Sequence, residues 1–374
     1  MNGNGNLLSV IAVNHNSSAL LEKCFSSLFP AIGDESWEFL VVDNGSREED
    51  VGNVLSLEGM NVRIIVNKEN IGYARAVNQG MEETRGDYLL ITNPDVLYKP
   101  GSVQVMLRAL VELPRCGAVA PKTWWNEGMT FLLPFTELLT PYKILAKEII
   151  RGWPRLSDLI LKRWIKGTSR YWLSEKPISL KMLSGACILT TRKVLNNVGG
   201  FDETFPLYFE DTDWLLRVRK AGYYLYMVPQ ANIIHYYNQS AKQDMRASQD
   251  KFRESSDKYL RKHFRGQSFF VGLAERFRAV GGNNMSGTYE DMGVLTAPPL
   301  FSFEDGSKKL LLLSPVDSLI PSAGSFFEGD SFEIPRDLWD TLGAGRYFVK
   351  VLDVRSLREC RSWSWMKQES IINL

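Results

Sequence analysis

The sequence predicts an α/β protein: a mostly parallel sheet flanked by helices, followed by a small β-rich domain. Three observations carry this. Compact apolar strand runs alternate with single helical patterns through the first hundred residues, which is the signature of a parallel sheet with right-handed crossovers. The mixed pattern resumes near Ser184, and beyond the glycine-rich stretch at 281–287 short apolar runs alternate with Gly and Pro turns, as in an antiparallel β domain. The length of 374 residues exceeds the usual single-domain size.

The elements follow in order. Leu7–Val13 reads as a buried strand ended by Asn14-His15-Asn16-Ser17-Ser18, and Leu20, Leu21, Cys24, Phe25 and Leu28 then recur at helical spacing until Pro30. A second strand, Trp37–Val42, ends in the turn sequence Asp43-Asn44-Gly45-Ser46. A third, Val62–Val66, precedes Asn70, which is expected to cap a helix burying Ile71, Ala74, Val77, Asn78 and Met81. A fourth, Asp87–Thr92, ends at Asn93-Pro94-Asp95. Later come a strand at Ala186–Thr191, a helix with Trp214, Leu215, Val218 and Ala221 on one face, a strand at Tyr223–Val228 followed by His235, and a long charged helix over 241–264. In the tail, Leu310–Leu313, Ser331–Ile334, Tyr347–Val351 and Trp363–Trp365 read as strands; the two tryptophans share one strand face, which suits a sugar platform and is equally what a buried face requires, the reading preferred here. The expected domains are 1–265, with a basic amphipathic insertion at 131–178, a linker at 266–294 and a β domain at 295–374.

Composition excludes several classes. Apolar residues make up 44% and charged residues 23%, ordinary globular values, so disorder and a disulfide miniature are poor explanations. Lys+Arg is 44 against Asp+Glu 43, so no basic excess exists to condense on nucleic acid. Cys24, Cys116, Cys187 and Cys360 lie far apart without CxxC pairing and read as reduced thiols of a cytoplasmic protein. The N-terminus lacks signal-peptide character, and no stretch approaches the roughly 18 apolar residues that cross a bilayer. Between Pro134 and Arg170 eight basic residues face three acids, with Trp153 and Trp164 among them. That composition suits an interfacial membrane helix, and equally a surface subdomain with a solvated basic face.

Ligands of parallel α/β sheets bind outside the carboxyl ends of the strands. Here those ends carry Asn14, Asn16, Asp43, Asn93 and Asp95, while GxGxxG and GxxxxGK[ST] are absent, which argues against a nicotinamide site and a P-loop. Asp95 at a strand tip suits a divalent ion that binds phosphate, although Asn-Pro-Asp is also a common turn. Asp43 reads as an Asx turn or as a hydrogen-bonding group for a base or ribose. Glu210-Asp211-Thr212-Asp213 places three carboxylates in four residues, which repel unless a cation or helix N-terminus compensates. Asp211 suits a general base at a helix start, or a cap on an acidic surface; the surrounding Phe205, Tyr208, Phe209 and Trp214 suit a pocket. His235 suits a metal or diphosphate contact, or a structural role.

Taken jointly, VVDNGS, NKENIGYARAVNQG, GDYLLITNPDV, LSGACILTTRKV, GGFDETFPLYFEDTDWLLRVRKAGY and IIHYYNQS occur in an order and spacing that resembles the family 2 glycosyltransferases of the GT-A fold. The likeness is to the rhamnosyltransferase-like branch of bacterial polysaccharide assembly and covers about residues 7–265. It implies an inverting transferase that moves a sugar from a nucleotide-diphosphate donor (dTDP-rhamnose, with UDP- and GDP-sugars used by near neighbours) to a saccharide or lipid-linked saccharide. It implies nucleotide contacts from Asn14, Asn16, Asp43, Asn70, Gly72, Arg75, Asn78 and Asn93. Asp211 falls on the catalytic base beside Glu210, with Asp213 and Trp214 toward the acceptor. Asp95 and His235 fall on the site of Mg²⁺ or Mn²⁺. The family's Asp-x-Asp is here Asn93-Pro94-Asp95, which leaves one carboxylate for the ion. Arg75 and Arg192 are the basic residues available to the leaving group. The resemblance also implies a cytoplasmic enzyme with peripheral contact at the inner face of the membrane. Two rival readings are a non-catalytic nucleotide-sugar binder on the same scaffold and a nucleotidyltransferase; the second normally carries a Gly-rich, basic loop after strand one, where this chain has Asn14-His15-Asn16-Ser17.

Overall fold

A computed structural model describes residues 7–59, 61–151, 154–236, 245–267, 269–270, 272–274, 276, 289–304 and 306–368. The chain divides into two compact units: Met1–Thr123, Phe135–Leu138 and Ser174–His263 in the first, Trp124–Pro134, Leu139–Leu173 and Phe264–Leu374 in the second.

In the first unit, strands β1 (Leu8–Asn14), β2 (Trp37–Asn44), β3 (Val62–Asn67) and β4 (Tyr88–Thr92) pair in parallel in the order β3-β2-β1-β4. All seven residues of β1 are buried, as a strand covered by helices on both faces requires. Beyond β4 the sheet continues antiparallel through β8 (Cys187–Thr191) and β6 (Cys116–Trp124) to β9 (Tyr224–His235), which pairs with β5 (Val96–Tyr98) and β7 (Ile178–Leu180). The helices are α1 (Ser18–Ile32), α2 (Glu48–Leu55), α3 (Tyr73–Glu83), α4 (Ser102–Glu112), α7 (Arg192–Val198), α8 (Glu210–Lys220) and α9 (Met245–His263). Leu21, Cys24, Phe25 and Leu28 of α1 are buried against Val10, Phe39 and Val41 of the sheet's core.

Three local expectations are corrected. α1 runs two residues past Pro30, whose carbonyl accepts from the Gly101 N–H at 2.9 Å. Asn70 does not cap α3: the cap is Gly72 at φ 92, and the Asn70 side chain instead accepts the Gly72 N–H at 3.0 Å. The left-handed backbone there suits a residue without Cβ. β9 extends to His235, which therefore lies in the strand and not after it. No disulfide joins the four cysteines.

The second unit holds a five-stranded sheet of order β10-β16-β15-β12-β13, from β10 (Glu290–Leu295), β12 (Lys308–Ser314), β13 (Ala323–Glu328), β15 (Gly345–Asp353) and β16 (Glu359–Lys367). A separate pair, β11 (Leu300–Ser302) and β14 (Ser331–Glu333), and helix α10 (Arg336–Thr341) complete its C-terminal part. Trp363 and Trp365 are buried beside Phe301 and Tyr347. Because Glu290–Leu295 is a strand of this sheet, the linker expected over 266–294 ends earlier; its glycine-rich stretch at 281–287 lies outside the described residues.

The insertion helices α5 (Pro141–Arg151) and α6 (Pro154–Trp172) pack with this β unit, whereas the insertion was expected within the catalytic domain. The reason is apolar burial. Trp172 sits edge-on to Phe326 at 6.0 Å and donates its indole N–H to the Leu133 carbonyl at 2.9 Å. A Cβ at Gly324 would lie 2.3 Å from that indole, so the missing side chain is what lets the ring lie on β13. Leu132 pairs with Gly324, and the Asn126 amide reaches both Asp337 oxygens at 3.1 and 3.0 Å. Trp164 is also buried, so of the two tryptophans that suggested an interfacial helix it is unavailable to a membrane, and Trp153 lies outside the described residues. Among the described residues no helix is long and apolar enough to cross a membrane.

Candidate active site

Parallel pairing brings the carboxyl ends of β1 to β4 to one edge of the sheet. Asn14 is the register partner of Asp43, and both are wholly buried. The Asn14 amide donates to Asp43 Oδ2 and Asp50 Oδ2, each at 2.7 Å, and to Ser46 Oγ at 3.2 Å. The other Asp43 oxygen accepts from the Ser46 N–H at 3.0 Å, the Asx turn that closes β2. Asn16, in left-handed backbone, donates its N–H to Ser46 Oγ at 2.9 Å and accepts from the Arg47 N–H at 2.9 Å. Asp50 was not singled out from the sequence, because its partners come from β1 and α1. Burial raises its carboxyl, yet hydrogen bonds from Ser18 and Asn14 outweigh this and hold it below the ordinary value. Beside this group, Asn44, also missed, donates to Asn70 Oδ1 at 3.0 Å and accepts from the Ile71 N–H at 3.1 Å, tying the loop before α3 to β2.

A second cluster gathers around Tyr73. Its hydroxyl donates to Asn93 Oδ1 at 3.2 Å. Burial, then the charges of Glu210, Asp211 and Asp95, push the phenol above its ordinary value, so one side chain senses all three carboxylates. The Asn93 N–H donates to the Ala186 carbonyl at 2.9 Å, and the neighbouring Gly185 N–H bonds the Asp211 carboxylate. A Cβ on Gly185 would lie 2.0 Å from Asp211 Oδ2, so glycine there permits the contact. Asp95 and Asp211 are thus linked through four consecutive neighbours. Tyr73 and Gly185 lay within the quoted motifs and carried no chemistry in the sequence reading; only the three-dimensional approach reveals them.

Glu210 and Asp211 open α8. Glu210 is 5% exposed and its Oε2 meets no partner among the described residues. Burial, then the adjacent Asp211 charge, pushes its carboxyl up to about 8. Asp211 is also raised by burial, but its ionised form accepts from the Thr212 N–H at 2.6 Å, the Thr212 hydroxyl at 3.2 Å and the Gly185 N–H. The pair therefore favours one proton on Glu210 and the negative charge on Asp211.

Asp95 lies in the turn between β4 and β5 and His235 at the end of β9, with Nε2 3.3 Å from Asp95 Oδ1. Burial raises the Asp95 carboxyl, and the imidazole's charge and hydrogen bond bring it below the ordinary range. A low-lying carboxylate plus an imidazole is an oxygen and nitrogen donor set that fits Mg²⁺ or Mn²⁺ completed by substrate phosphates. Among the described residues no group of three His, Cys, Asp or Glu side chains could hold a metal.

Other expected site residues lie apart. Asp213, read as acceptor-binding, is wholly buried and bound to Lys262 at 2.6 Å, His263 at 2.7 Å and Arg217 at 2.8 Å. Trp214 is fully buried and donates to the Gly199 carbonyl at 2.8 Å, so its ring cannot stack on an acceptor. The Asn78 amide bonds the Phe201 backbone at 2.9 and 2.8 Å, and Arg75 is exposed and paired with Glu203 at 3.5 Å. Arg192 is consumed by the carbonyls of Met81, Thr84 and Gly86 at the amino end of β4, a strand's length from Asn93, which removes it from any leaving-group role.

Residues 9–199 match the family model described as glycosyl transferase family 2. An N-acetylglucosaminyl-diphospho-decaprenol L-rhamnosyltransferase of Mycobacterium tuberculosis is 30% identical over 258 residues, covering 64% of this chain and 78% of that protein. Rhamnosyltransferase WbbL of Escherichia coli K12 is 24% identical over 238 residues, covering 62% of this chain and 83% of that protein. Among solved structures, a mannosyltransferase of Pyrobaculum calidifontis in complex with GDP-Man and Mn²⁺ aligns over 75% of this chain and 76% of its own, at a TM-score of 0.43 and 15% identity. With more than half its length inside the family model, and with acidic residues gathered at the carboxyl edge of its sheet, the chain belongs to glycosyltransferase family 2.

Proposed function

We propose that this glycosyltransferase inverts the anomeric centre of a nucleotide-diphosphate sugar, with rhamnose as the sugar, and passes it to a lipid-linked saccharide. The observation that supports the catalytic assignment is the approach of Asp211 to the strand end that carries Asp95: Asp211 lies against Gly185, whose neighbour Ala186 accepts from the Asn93 N–H at 2.9 Å. The donor and acceptor classes are supported by the names of the Mycobacterium and Escherichia relatives.

Asp211 is the general base. Its carboxylate is kept ionised and oriented by the Thr212 and Gly185 N–H groups, while Glu210 keeps the shared proton. Asp211 takes the proton of the acceptor hydroxyl as that oxygen forms the new bond to the anomeric carbon. The bond from that carbon to the diphosphate oxygen breaks on the opposite face, and the nucleoside diphosphate departs with the electron pair. Asp95 and His235 would hold a divalent ion that neutralises charge on the diphosphate. The polar group of Asn14, Asn16, Asp43 and Asn70 at the ends of β1 and β2 receives the nucleoside.

A lipid-linked acceptor brings the enzyme to the inner face of a membrane. Along α6 and the residue that follows it, the exposed stripe Leu159, Arg163, Lys166, Arg170 and Leu173 suits an anionic lipid surface, with Leu159 62% and Leu173 56% exposed.

The deciding experiment is Asp211→Asn. Turnover is expected to fall by about 10²–10⁴-fold while donor affinity, measured by calorimetry, stays within about twofold. Full turnover in this variant removes Asp211 from the mechanism. Donor affinity that does not change with EDTA removes the ion from Asp95 and His235.

A further inference from the structure

Two consecutive non-glycine residues, Tyr208 and Phe209, adopt left-handed backbone at φ 68 each, immediately before Glu210 and Asp211. Such conformations persist where surrounding structure over-determines them, and they gather at functional sites. Here the surroundings are supplied by one element, α9. Ser255, wholly buried, donates to the Leu207 carbonyl at 2.7 Å. Phe252 packs on Tyr208 at 5.8 Å and on Phe209 at 5.2 Å, and Tyr259 packs on Phe209 at 5.3 Å. The Tyr208 hydroxyl meets Ser248 Oγ at 3.3 Å. Lys262 binds Asp202 at 2.7 Å before the strained turn and Asp213 at 2.6 Å after it.

We propose that α9 is a clamp that holds the 207–209 turn and thereby aims the carboxylate pair, with Ser255 and Phe252 as positioning residues. The proposal rests on Asp211 acting as the base. The turn sets where α8 starts, since the Asp213 N–H bonds the Phe209 carbonyl at 2.8 Å, and the start of α8 sets where Asp211 meets Gly185. Ser255 touches no expected substrate group; its effect is transmitted through the Leu207 carbonyl.

The test compares Ser255→Ala, Ser255→Thr and Phe252→Ala with Asp211→Asn in the full-length enzyme. Ser255→Ala is expected to lower kcat about tenfold with donor KM within twofold. Loss of the N–H contacts that keep Asp211 ionised is expected to move the acidic limb of the pH profile upward. Ser255→Thr, which keeps the hydroxyl, restores most of kcat. Phe252 is 50% exposed, so its truncation leaves a folded protein with a smaller fall in kcat in the same pattern. Wild-type kcat in folded Phe252→Ala, or a lowered kcat with the acidic limb unmoved, overturns the clamp. An inactive Asp211→Asn beside an unimpaired Ser255→Ala overturns the clamp alone, whereas a fully active Asp211→Asn overturns the assignment of the base.

Discussion

Within one turn of α8, neighbouring carboxylates meet opposite surroundings. Glu210 is buried with its Oε2 unpartnered among the described residues, Asp211 is half-buried against the Thr212 and Gly185 donors, and desolvation raises both. Asp213 is buried as deeply as Glu210, yet Arg217, Lys262 and His263 surround it and hold its carboxyl far below the ordinary range, although burial alone would raise it. At 3.6 residues per turn Asp213 lies about 200° around the axis from Asp211. One acid therefore anchors α9 while the other faces Gly185. Adjacent acids need not share a role: the helix divides them between an ion-paired anchor and the proposed proton-accepting site.

Removing the anchor is the harshest way to break this contrast. Asp213→Ala leaves three basic groups around a buried gap and is expected to cost about 3–5 kcal/mol of stability, measured by urea unfolding. Smaller and opposite in sign is Glu210→Gln. The Glu210 carboxyl rises from an ordinary 4.5 to about 8 on folding, so the folded state binds its proton more tightly. Wild-type stability is then lost as pH rises from the lower value to the upper one. Glutamine imitates the protonated form, so the variant matches wild type below pH 4.5 and gains on the order of a few kcal/mol by pH 9, read from melting temperatures at both ends.

Gly185→Ala tests the other wall of the site. Its Cβ would lie 2.0 Å from Asp211 Oδ2, so the base must shift. A fall in kcat of about tenfold is expected, about 1.4 kcal/mol of barrier, with little change in melting temperature. The smallest effect belongs to Arg75→Ala. Its pair with Glu203 is exposed on both sides, so stability should move by less than about 0.5 kcal/mol. A loss of donor affinity in that variant would assign the guanidinium to the donor; unchanged affinity would leave it a surface group.

Much of the first unit was legible from local pattern. Buried parallel strands read as continuous apolar runs, and their polar ends are abrupt: Asn14, Asp43 and Asn93 each follow such a run. The second unit was legible only in its strands. The insertion at 131–178 reads as amphipathic, and amphipathicity says that a face is buried without saying against what. Trp164 fits a membrane or a protein partner equally well until Trp172, itself packed on Gly324 and Phe326, supplies the surface. The same limit applied to Asp213 and Trp214, whose partners Lys262, His263 and Gly199 lie 15 to 50 residues away in sequence.

By itself, the order of strand ends and acidic turns determined the α/β class, the sheet edge proposed for ligands and the candidate carboxylates. Tertiary structure decided which of those carboxylates face one another, because burial and charge act through space. Tyr73, Gly185 and Ser255 owe their places to side chains and carbonyls far along the chain, and no local periodicity encodes a distance between such groups.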